Sequence, residues 1–209
     1  MKSNYRVAFD KGWQDLKQKQ PADIALHMQV QYLPGKQQFI VPFLNENYIV
    51  DLAKETLVRE NDGEMPEISA AILVLHYLSF FQSAAEVAGK WVSLKEIPNG
   101  GMLFYPAFHK DAICGLIKAF GHQTGAFLEC AAILGGQPVK AGDVAAWFPV
   151  FPKTPLRVVL WEGDEEISAN ATMLFDPSIE HFLHIESVIA LGEYLAKRLI
   201  KLAPQTVGC

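Results

Sequence analysis

Hydrophobic residues at the start of the chain recur with the spacing of an amphipathic helix. They fall at i, i+4, i+8 and i+11, and they are Tyr5, Phe9, Trp13 and Leu16. Because this spacing places the four side chains on one stripe, it predicts an N-terminal helix over residues 3–19. Pro21 suits the first position of a second, short helix that we expect to end near His27. A strand is predicted next, over 29–33.

Alternating apolar and polar residues then indicate further strands. Pro34 and Gly35 are a strong turn signal after the first of them. Two more strands are predicted at 38–44 and 48–52, so that the three form an antiparallel meander. Pro42 cannot donate a hydrogen bond to a neighbouring strand, which indicates a sheet edge or a bulge at that position.

The longest apolar segment lies in the first half of the chain. Eighteen residues without a formal charge separate Glu67 from Glu86. After a polar loop at 59–65, we expect a buried helix from Pro66 to about Ala88. The uncharged run is close to the lower length limit for a membrane span. Polar side chains interrupt it, so we expect a helix inside a soluble domain and no membrane segment.

Shorter elements follow this helix. A strand is predicted at 91–94 and a helix over 108–120, which Gly121 would end as a left-handed cap. A second short helix is predicted at 126–134, and an extended segment at 144–151.

The pattern around the next turn is the most distinctive in the chain. Leu156 to Trp161 is an aliphatic run that closes on an aromatic residue, and 171–175 is a second apolar run. The segment between them, which we call the acidic turn, carries four carboxylates around one glycine: Glu162, Asp164, Glu165 and Glu166. Two strands joined in this way predict a hairpin. Asp176 and Pro177 then suit the N-cap and first position of a last helix, which keeps its apolar spacing to Leu202.

Strands and helices occur in runs rather than in regular alternation. This order predicts an α+β fold with a largely antiparallel sheet, made of an N-terminal meander and a C-terminal hairpin packed with several helices. A length of 209 residues suits a single domain over residues 1–209. Half of the residues are hydrophobic and a fifth are charged, which excludes a disordered chain.

Charge and cysteine content narrow the function classes. A net charge of −5 and a pI near 5.7 argue against nucleic acid as a partner, because phosphate binding favours a basic face. The three cysteines have no spacing typical of a metal site. Cys114 and Cys130 lie inside apolar helical patterns, which predicts buried thiols in a reducing cytoplasm, and Cys209 is the last residue. The N-terminus lacks the apolar core of a signal peptide.

Several of these segments resemble one bacterial and archaeal family, domain of unknown function 3786. The resemblance is carried by residues 91–101, 134–136 and 142–143, and above all by the segment from 151 to 176. It extends over about residues 21–202. The resemblance implies no established activity, but it implies a place in anaerobic metabolism, and some members are fused to a cysteine-rich iron–sulfur module that accompanies corrinoid proteins. This chain departs from those fusions because it has no four-cysteine module.

The acidic turn has three interpretations. Glu162, Asp164 and Glu166 offer oxygen ligands for a hard cation, although their spacing is not that of a calcium loop. Together with Glu165 and Trp161, they could instead form a patch for a ligand or a basic partner. The third interpretation is a solvated hairpin tip whose charges keep a sheet edge soluble.

Two histidines form the second candidate site. On the predicted last helix His181 and His184 are at i and i+3, so they share a face and could bind a transition metal with a carboxylate. The i, i+4 signature of zinc proteases is absent, and a surface or capping role is the alternative. Asp176 joins this candidate site as the residue that begins the helix. His76, on the long apolar helix, is interpreted as a core histidine.

These residues lead to two main hypotheses. The first is a non-catalytic module that binds a small molecule, a cofactor or a partner protein through Trp161, the acidic turn and the start of the last helix; no particular cofactor is indicated. The second is a carboxylate- or metal-dependent hydrolase, in which Asp164 or Glu166 is the base and His181 or His184 the ligand or acid. The second hypothesis requires the acidic turn and residues 181–184 to lie within hydrogen-bonding reach of each other or to share an ion.

Overall fold

The structure is a computed structural model that describes residues 2–82 and 85–204. Helices and two antiparallel sheets give the α+β fold that the sequence predicts. The helices are α1 (Lys2–Leu16), α2 (Pro21–Met28), α3 (Ile68–Ser79), α4 (Gly101–Phe108), α5 (Cys114–Phe120), α6 (Thr124–Ile133) and α7 (Ile185–Leu202). The strands are β1 (Gln31–Leu33), β2 (Gln38–Phe43), β3 (Glu46–Asp51), β4 (Thr56–Arg59), β5 (Val92–Ser93), β6 (Gln137–Val139), β7 (Val144–Phe151), β8 (Thr154–Trp161) and β9 (Asn170–Phe175).

The first sheet is the predicted meander with one strand more, in the order β1-β2-β3-β4. The additional strand β4 uses Arg59, where a loop was expected to begin. Pro42 lies beyond the end of β1, since β1 pairs only as far as Ile40, so Pro42 pairs with Asn47 of β3 alone. That end of β2 is therefore an edge, as the proline predicts.

The second sheet contains the predicted hairpin in its centre, in the order β5-β9-β8-β7-β6. Strands β8 and β9 pair from Leu156 opposite Phe175 to Trp161 opposite Asn170. The two sheets share one core, because stacked rings from β2, β7, α3 and α7 join them. The ring centroids are 4.4 Å apart for Phe43 and Phe151, 4.3 Å for Tyr77 and Phe151 and 5.1 Å for Phe43 and Tyr194.

The long apolar helix is shorter than predicted, because α3 ends at Ser79 and not near Ala88. Phe80 is already extended, and the amide of Gln82 donates to the carbonyl of His181 at 2.9 Å. This tertiary hydrogen bond takes the place of a helical one at Gln82. The uncharged run in the sequence does not reveal that the helix ends before it. Residues 83 and 84 of the predicted helix lie outside the described residues.

Across 2–82 and 85–204, every helix falls short of the length or the apolar character needed to cross a bilayer.

The helix predicted at 108–120 begins earlier, because α4 continues through a π-helical turn at His109–Ile113 into α5. Gly121 follows α5, but it is not a left-handed cap: its φ is −62°. A Cβ atom at this position would lie 2.5 Å from the Cβ of Ala169 and 2.6 Å from the carbonyl oxygen of Ile117. The glycine is therefore required by the close approach of the segment before β9.

We expect Gly121→Ala to lower the free energy of unfolding by about 1–3 kcal/mol, because the added methyl group overpacks this contact. Gly125 is the matched control. It lies in the first turn of α6, and an added Cβ would meet nothing within 4 Å. Gly125→Ala should raise the stability by up to about 1 kcal/mol, since alanine is the better helix former. Urea denaturation of both variants is the measurement, and equal effects would contradict the packing argument.

The last helix is divided. A short 3-10 helix, Pro177–His181, is followed by a break, and α7 starts only at Ile185. His184 is the extended N-cap residue of α7, with φ −62° and ψ 153°. The prediction of one continuous helix from Pro177 was therefore wrong, and His181 and His184 do not share a helix face.

Candidate functional site

The four residues whose carboxylates form the acidic turn are all exposed. The Asp164 carboxylate accepts hydrogen bonds from the amides of Glu166 (2.8 Å) and Ile167 (2.7 Å), and these bonds lower its pKa. Glu162 accepts a hydrogen bond from the hydroxyl of Thr124 at 3.1 Å. In the described parts of the chain, no three His, Cys, Asp or Glu side chains are placed to hold a metal ion together. The turn therefore offers separate, solvated charges.

Trp161 ends the central strand β8 of the second sheet and is exposed, with 39 % of its surface accessible. It lies over Gly142, where an added Cβ would be 3.3 Å from the indole ring. The adjacent backbone is tied to α5 and α6, because the amide of Gly163 donates to the carbonyl of Gly121 and a ring nitrogen of His122 lies 3.1 Å from the carbonyl of Gly163. These contacts fix the base of the acidic turn.

Asp176 is fully buried and acts as a clamp within the fold. Its carboxylate accepts five hydrogen bonds, from the amides of Ala88, Gly89, Lys90 and Ser178 and from the hydroxyl of Ser178. Burial alone would raise its pKa, but the hydrogen bonds from Ser178, Ala88 and Gly89 outweigh burial and lower it. Its acceptor capacity is thus used by the protein itself, which leaves little for a ligand.

His181 and His184 are separate from the acidic turn. The turn precedes β9 at Asn170, and the 3-10 helix that carries His181 follows its other end, after Asp176. Six residue steps of strand separate the two ends by about 20 Å. The hydrolase hypothesis required hydrogen-bonding reach or a shared ion. The separation argues against the first, and within the described residues no group of three or more His, Cys, Asp or Glu side chains could hold an ion.

The cysteines also differ from expectation. Cys130 is buried as predicted, whereas Cys114 is exposed at the start of α5. Its sulfur lies 3.5 Å from Nδ1 of His109, in the π-helical turn before α5. The apolar pattern around Cys114 was misleading because the π-helical turn before α5 changes which positions face the core. Cys209 lies outside the described residues.

A groove of about 890 Å³ lies between α1, α3, α7 and the first sheet. Residues along one face of α7 line the groove, and the lining includes both apolar and charged side chains. Apolar walls come from residues such as Tyr48, Ile72, Leu73, Ala190 and Tyr194. Charged rim residues include Glu46, Arg59, Glu67, Glu186, Lys197, Arg198 and Lys201. The groove runs along α7 for about 20 Å, since Ser187 and Lys201 both line it and a helix rises 1.5 Å per residue.

One end of the groove carries a histidine–serine pair. Nδ1 of His76, on α3, lies 2.8 Å from the hydroxyl oxygen of Ser187, in the first turn of α7. The backbone of Ala8, on α1, lies close enough to the His76 ring to affect its pKa. Burial lowers the pKa of His76, the Ala8 contact opposes that change, and the nearby His184 lowers the pKa further. The imidazole is therefore neutral at pH 7.

The other end of the groove is rich in cations. The Arg198 guanidinium donates to the hydroxyl of Tyr194 at 2.9 Å and lies 3.8 Å from Glu46, which also accepts a hydrogen bond from Tyr48 at 2.7 Å. Lys197 and Lys201 are exposed, and within the described ranges neither forms an ion pair. The positive end of the α3 dipole adds to this charge. Glu67, at the same helix end, and Glu193, which interacts with Lys197, are opposing carboxylates in the groove lining.

A second cavity of about 480 Å³ lies on the other side of His76. Lys11 and Asp15 of α1 line it, together with Phe80 and His184. The rings of Phe80 and His184 are 3.8 Å apart between centroids. His76 thus lies between two cavities, and only the larger one also contains Ser187.

Comparison with known families matches the chain to the model of a domain of unknown function (DUF3786), over residues 20–198. The chain belongs to the DUF3786 family. The match agrees with the resemblance seen in the sequence, which was expected over about residues 21–202. Searches of the curated proteins and of the solved structures returned no match.

The groove of this DUF3786 chain was missed by sequence reasoning. The predicted site residues lie elsewhere: none of Trp161, Glu162, Asp164, Glu165, Glu166, Asp176, His181 and His184 lines it, and His184 alone lines the smaller cavity. The apolar pattern around His76 predicts a core histidine and gives no sign of the groove. The histidine is half-buried, and its partner Ser187 is 111 residues further along the chain, so no local spacing could reveal the pair.

Proposed function

We propose that this DUF3786 chain binds a small organic molecule in the groove between α1, α3 and α7. The observation that carries the proposal is a concave site of about 890 Å³ with apolar walls, a histidine–serine pair at one end and a cluster of cations at the other. Ligand sites in proteins have this size and this distribution of polar groups. The proposal retains binding as the function and moves the site away from the acidic turn.

The shape and charge of the groove favour an elongated ligand with an apolar body and one anionic end. Side chains of Ile72, Leu73 and Ala190 line the middle, where an apolar body would be removed from water. Lys197 and Lys201 lie at the far end and are free to pair with a carboxylate or a phosphate. Long-chain carboxylates and alkyl phosphates combine these properties.

Calorimetric titration with laurate and with dodecyl phosphate tests the proposal. Ala190→Trp places a large ring in the groove and should weaken binding by about tenfold or more, which corresponds to about 1.4 kcal/mol. Ala132→Trp is the matched control, since Ala132 is exposed on α6 and does not line the groove. Lys201→Glu should also weaken binding, whereas Lys118→Glu on α5 should not. Binding that is unchanged in both groove variants would refute this site.

The family resemblance adds a metabolic setting to the proposal: a cytoplasmic protein of anaerobic metabolism. Thermal unfolding of protein purified without oxygen, in the presence of divalent metal ions or cobalamin, tests that setting together with elemental analysis. A stabilisation by cobalamin that Ala190→Trp leaves unchanged would favour a cofactor site outside the groove. A protein partner in place of a small ligand would appear as co-purification that Ala190→Trp does not disturb.

A further inference from the structure

We infer that Ser187 is a nucleophile and His76 its general base, and that the groove therefore performs acyl transfer on an ester. The inference goes beyond binding, and it rests on the proposed function because the same groove would hold the substrate. The pair joins the two helices that form the groove walls, and both side chains line the groove. Serine activated by a hydrogen-bonded histidine is a general arrangement for nucleophilic catalysis, on unrelated folds.

The contacts of His76 determine how the pair is oriented. Nδ1 faces the Ser187 hydroxyl at 2.8 Å. In the neutral ring only one nitrogen carries the proton; with that proton on Nε2, Nδ1 accepts the Ser187 hydroxyl proton, as a general base requires. The backbone of Ala8, on α1, raises the pKa of His76 and so partly opposes the effect of burial.

The position of Ser187 in the fold favours negative charge on its oxygen. Ser187 is the third residue of α7, and His184 caps the helix without a side-chain hydrogen bond to it. The first amides of a helix have no acceptor within the helix, and the helix dipole places partial positive charge there. Charge that develops on Ser187, or on the oxygen of a bound carbonyl, is stabilised by this field.

The protonation state of His76 suits a base at neutral pH. The groups that face it are Lys11 and Asp15 from α1, His184 from the N-cap of α7 and Ser187 itself. Lys11 and Asp15 form an ion pair with each other at 2.6 Å, so their opposite effects on the ring largely cancel. Burial remains the main effect and keeps the ring uncharged.

The reaction proceeds in two balanced steps. In the first, the Ser187 hydroxyl transfers its proton to Nδ1 of His76 as its oxygen bonds to the ester carbonyl carbon; the carbon–oxygen bond to the alcohol then breaks, and the alcohol leaves with the proton from His76. In the second, water gives a proton to Nδ1 and attacks the acyl carbon, and Ser187 leaves with that proton. The products are an alcohol and a carboxylic acid, with no oxidant or metal required.

The cation-rich end indicates which esters fit. Lys197 is ten residues beyond Ser187 on the same helix, a distance of about 15 Å along its axis. The substrate class is therefore an ester with an apolar body and an anionic group about 15 Å from the carbonyl carbon. A short neutral ester uses only the Ser187 end and should react with a higher KM.

Labelling with diisopropyl fluorophosphate tests the nucleophile directly. Ser187 attacks phosphorus, fluoride leaves, and peptide mapping by mass spectrometry identifies the modified serine. We expect phosphorylation of Ser187 in the unmodified protein and none at that peptide in Ser187→Ala. His76→Gln should slow labelling by about 100-fold or more, which is the usual contribution of a general base. Ser168→Ala, outside the groove, should label at the normal rate.

The pH profile of labelling separates a nucleophile from a buried structural hydroxyl. A rate assisted by His76 should already be at its plateau at pH 7 and should fall only below the ordinary histidine pKa of about 6.5. A rate that rises steadily with hydroxide, or a label on any other residue, overturns the inference. If laurate binds in calorimetry while Ser187 stays unlabelled, the proposed function stands and the catalytic inference fails.

Discussion

Asp176→Ala is expected to lower the free energy of unfolding by about 3 kcal/mol or more. The substitution removes the acceptor of five hydrogen bonds, and the two donors of Ser178 among them, its amide and its hydroxyl, are buried. A buried donor that loses its partner costs about 1–3 kcal/mol, and the effect of several such donors accumulates. The segment from Ala88 to Lys90 should also detach from the start of the 3-10 helix. Urea denaturation followed by circular dichroism measures the loss.

The pH dependence of this loss follows from the lowered pKa of Asp176. A carboxyl group whose folded pKa is below its unfolded value of about 3.9 stabilises the fold above that value. The contribution is lost as the pH falls through the folded pKa. The stability difference between the unmodified protein and Asp176→Ala should therefore be constant near neutral pH and shrink below about pH 4. A difference that grows in acid would contradict this account.

Asp164→Ala is the control for Asp176. Asp164 also accepts two amide hydrogen bonds, but it does so in the exposed acidic turn, where water can replace the lost acceptor. We expect a much smaller loss of stability than for Asp176→Ala. Comparable losses would mean that the number of hydrogen bonds, and not their burial, decides the effect.

The two aspartates also show what sequence could and could not predict. The Asp176-Pro177 pair is a local signal for an N-cap, and the structure confirms that cap, since Asp176 accepts the amide of Ser178 at 3.0 Å. The bonds from Ala88, Gly89 and Lys90 come from positions 86 to 88 residues away, which no local pattern contains. The role as a clamp could not be predicted, and Asp176 was assigned to a ligand site instead.

The secondary structure was predicted best where it depends on periodicity. The stripe that includes Trp13 and Leu16 gave α1, and the apolar runs on both sides of the acidic turn gave β8 and β9. Where tertiary contacts override periodicity, the prediction failed, as at the end of α3 after Ser79.

The groove could not be predicted from periodicity either. The apolar spacing of the last helix, with Val188, Leu191 and Leu195, identifies the face that packs into the core. The groove lies along a neighbouring face, with Ser187, Ala190 and Tyr194, whose mixed residues have no periodic signal. Only the packing of α1 and α3 against α7 gives that face a shape.

The acidic turn was predicted as a ligand site because its carboxylates are clustered within a short segment of the sequence. Four carboxylates in a short segment suggest mutual repulsion that a ligand must relieve. The connection between β8 and β9 spans residues 162–169, which is long enough to spread the charges into solvent. Local clustering in sequence therefore did not become clustering in space.

Tyr77→Phe is the second substitution with a large expected effect, a loss of about 2–4 kcal/mol of unfolding free energy. The Tyr77 hydroxyl donates to the carbonyl of Met28 at 2.8 Å and accepts from the amide of Lys153 at 3.0 Å, all within the core. It thereby joins the end of α2 to the turn between β7 and β8. Burial raises the pKa of Tyr77, so its hydroxyl stays protonated and can donate. Phenylalanine preserves the stack on Phe151 but leaves two buried backbone groups unpaired, at about 1–3 kcal/mol each.

Tyr32→Phe provides the matched control for this loss. Tyr32 is half-buried in β1, its ring is tilted against that of Phe39 with the centroids 4.8 Å apart, and its hydroxyl forms no hydrogen bond with the described residues. Its removal should change the stability by less than about 0.5 kcal/mol, as surface substitutions usually do. Hydrogen exchange adds a second readout, since the Lys153 amide should lose protection in Tyr77→Phe and keep it in Tyr32→Phe. Full protection of that amide in both variants would show that another group holds the β7–β8 turn.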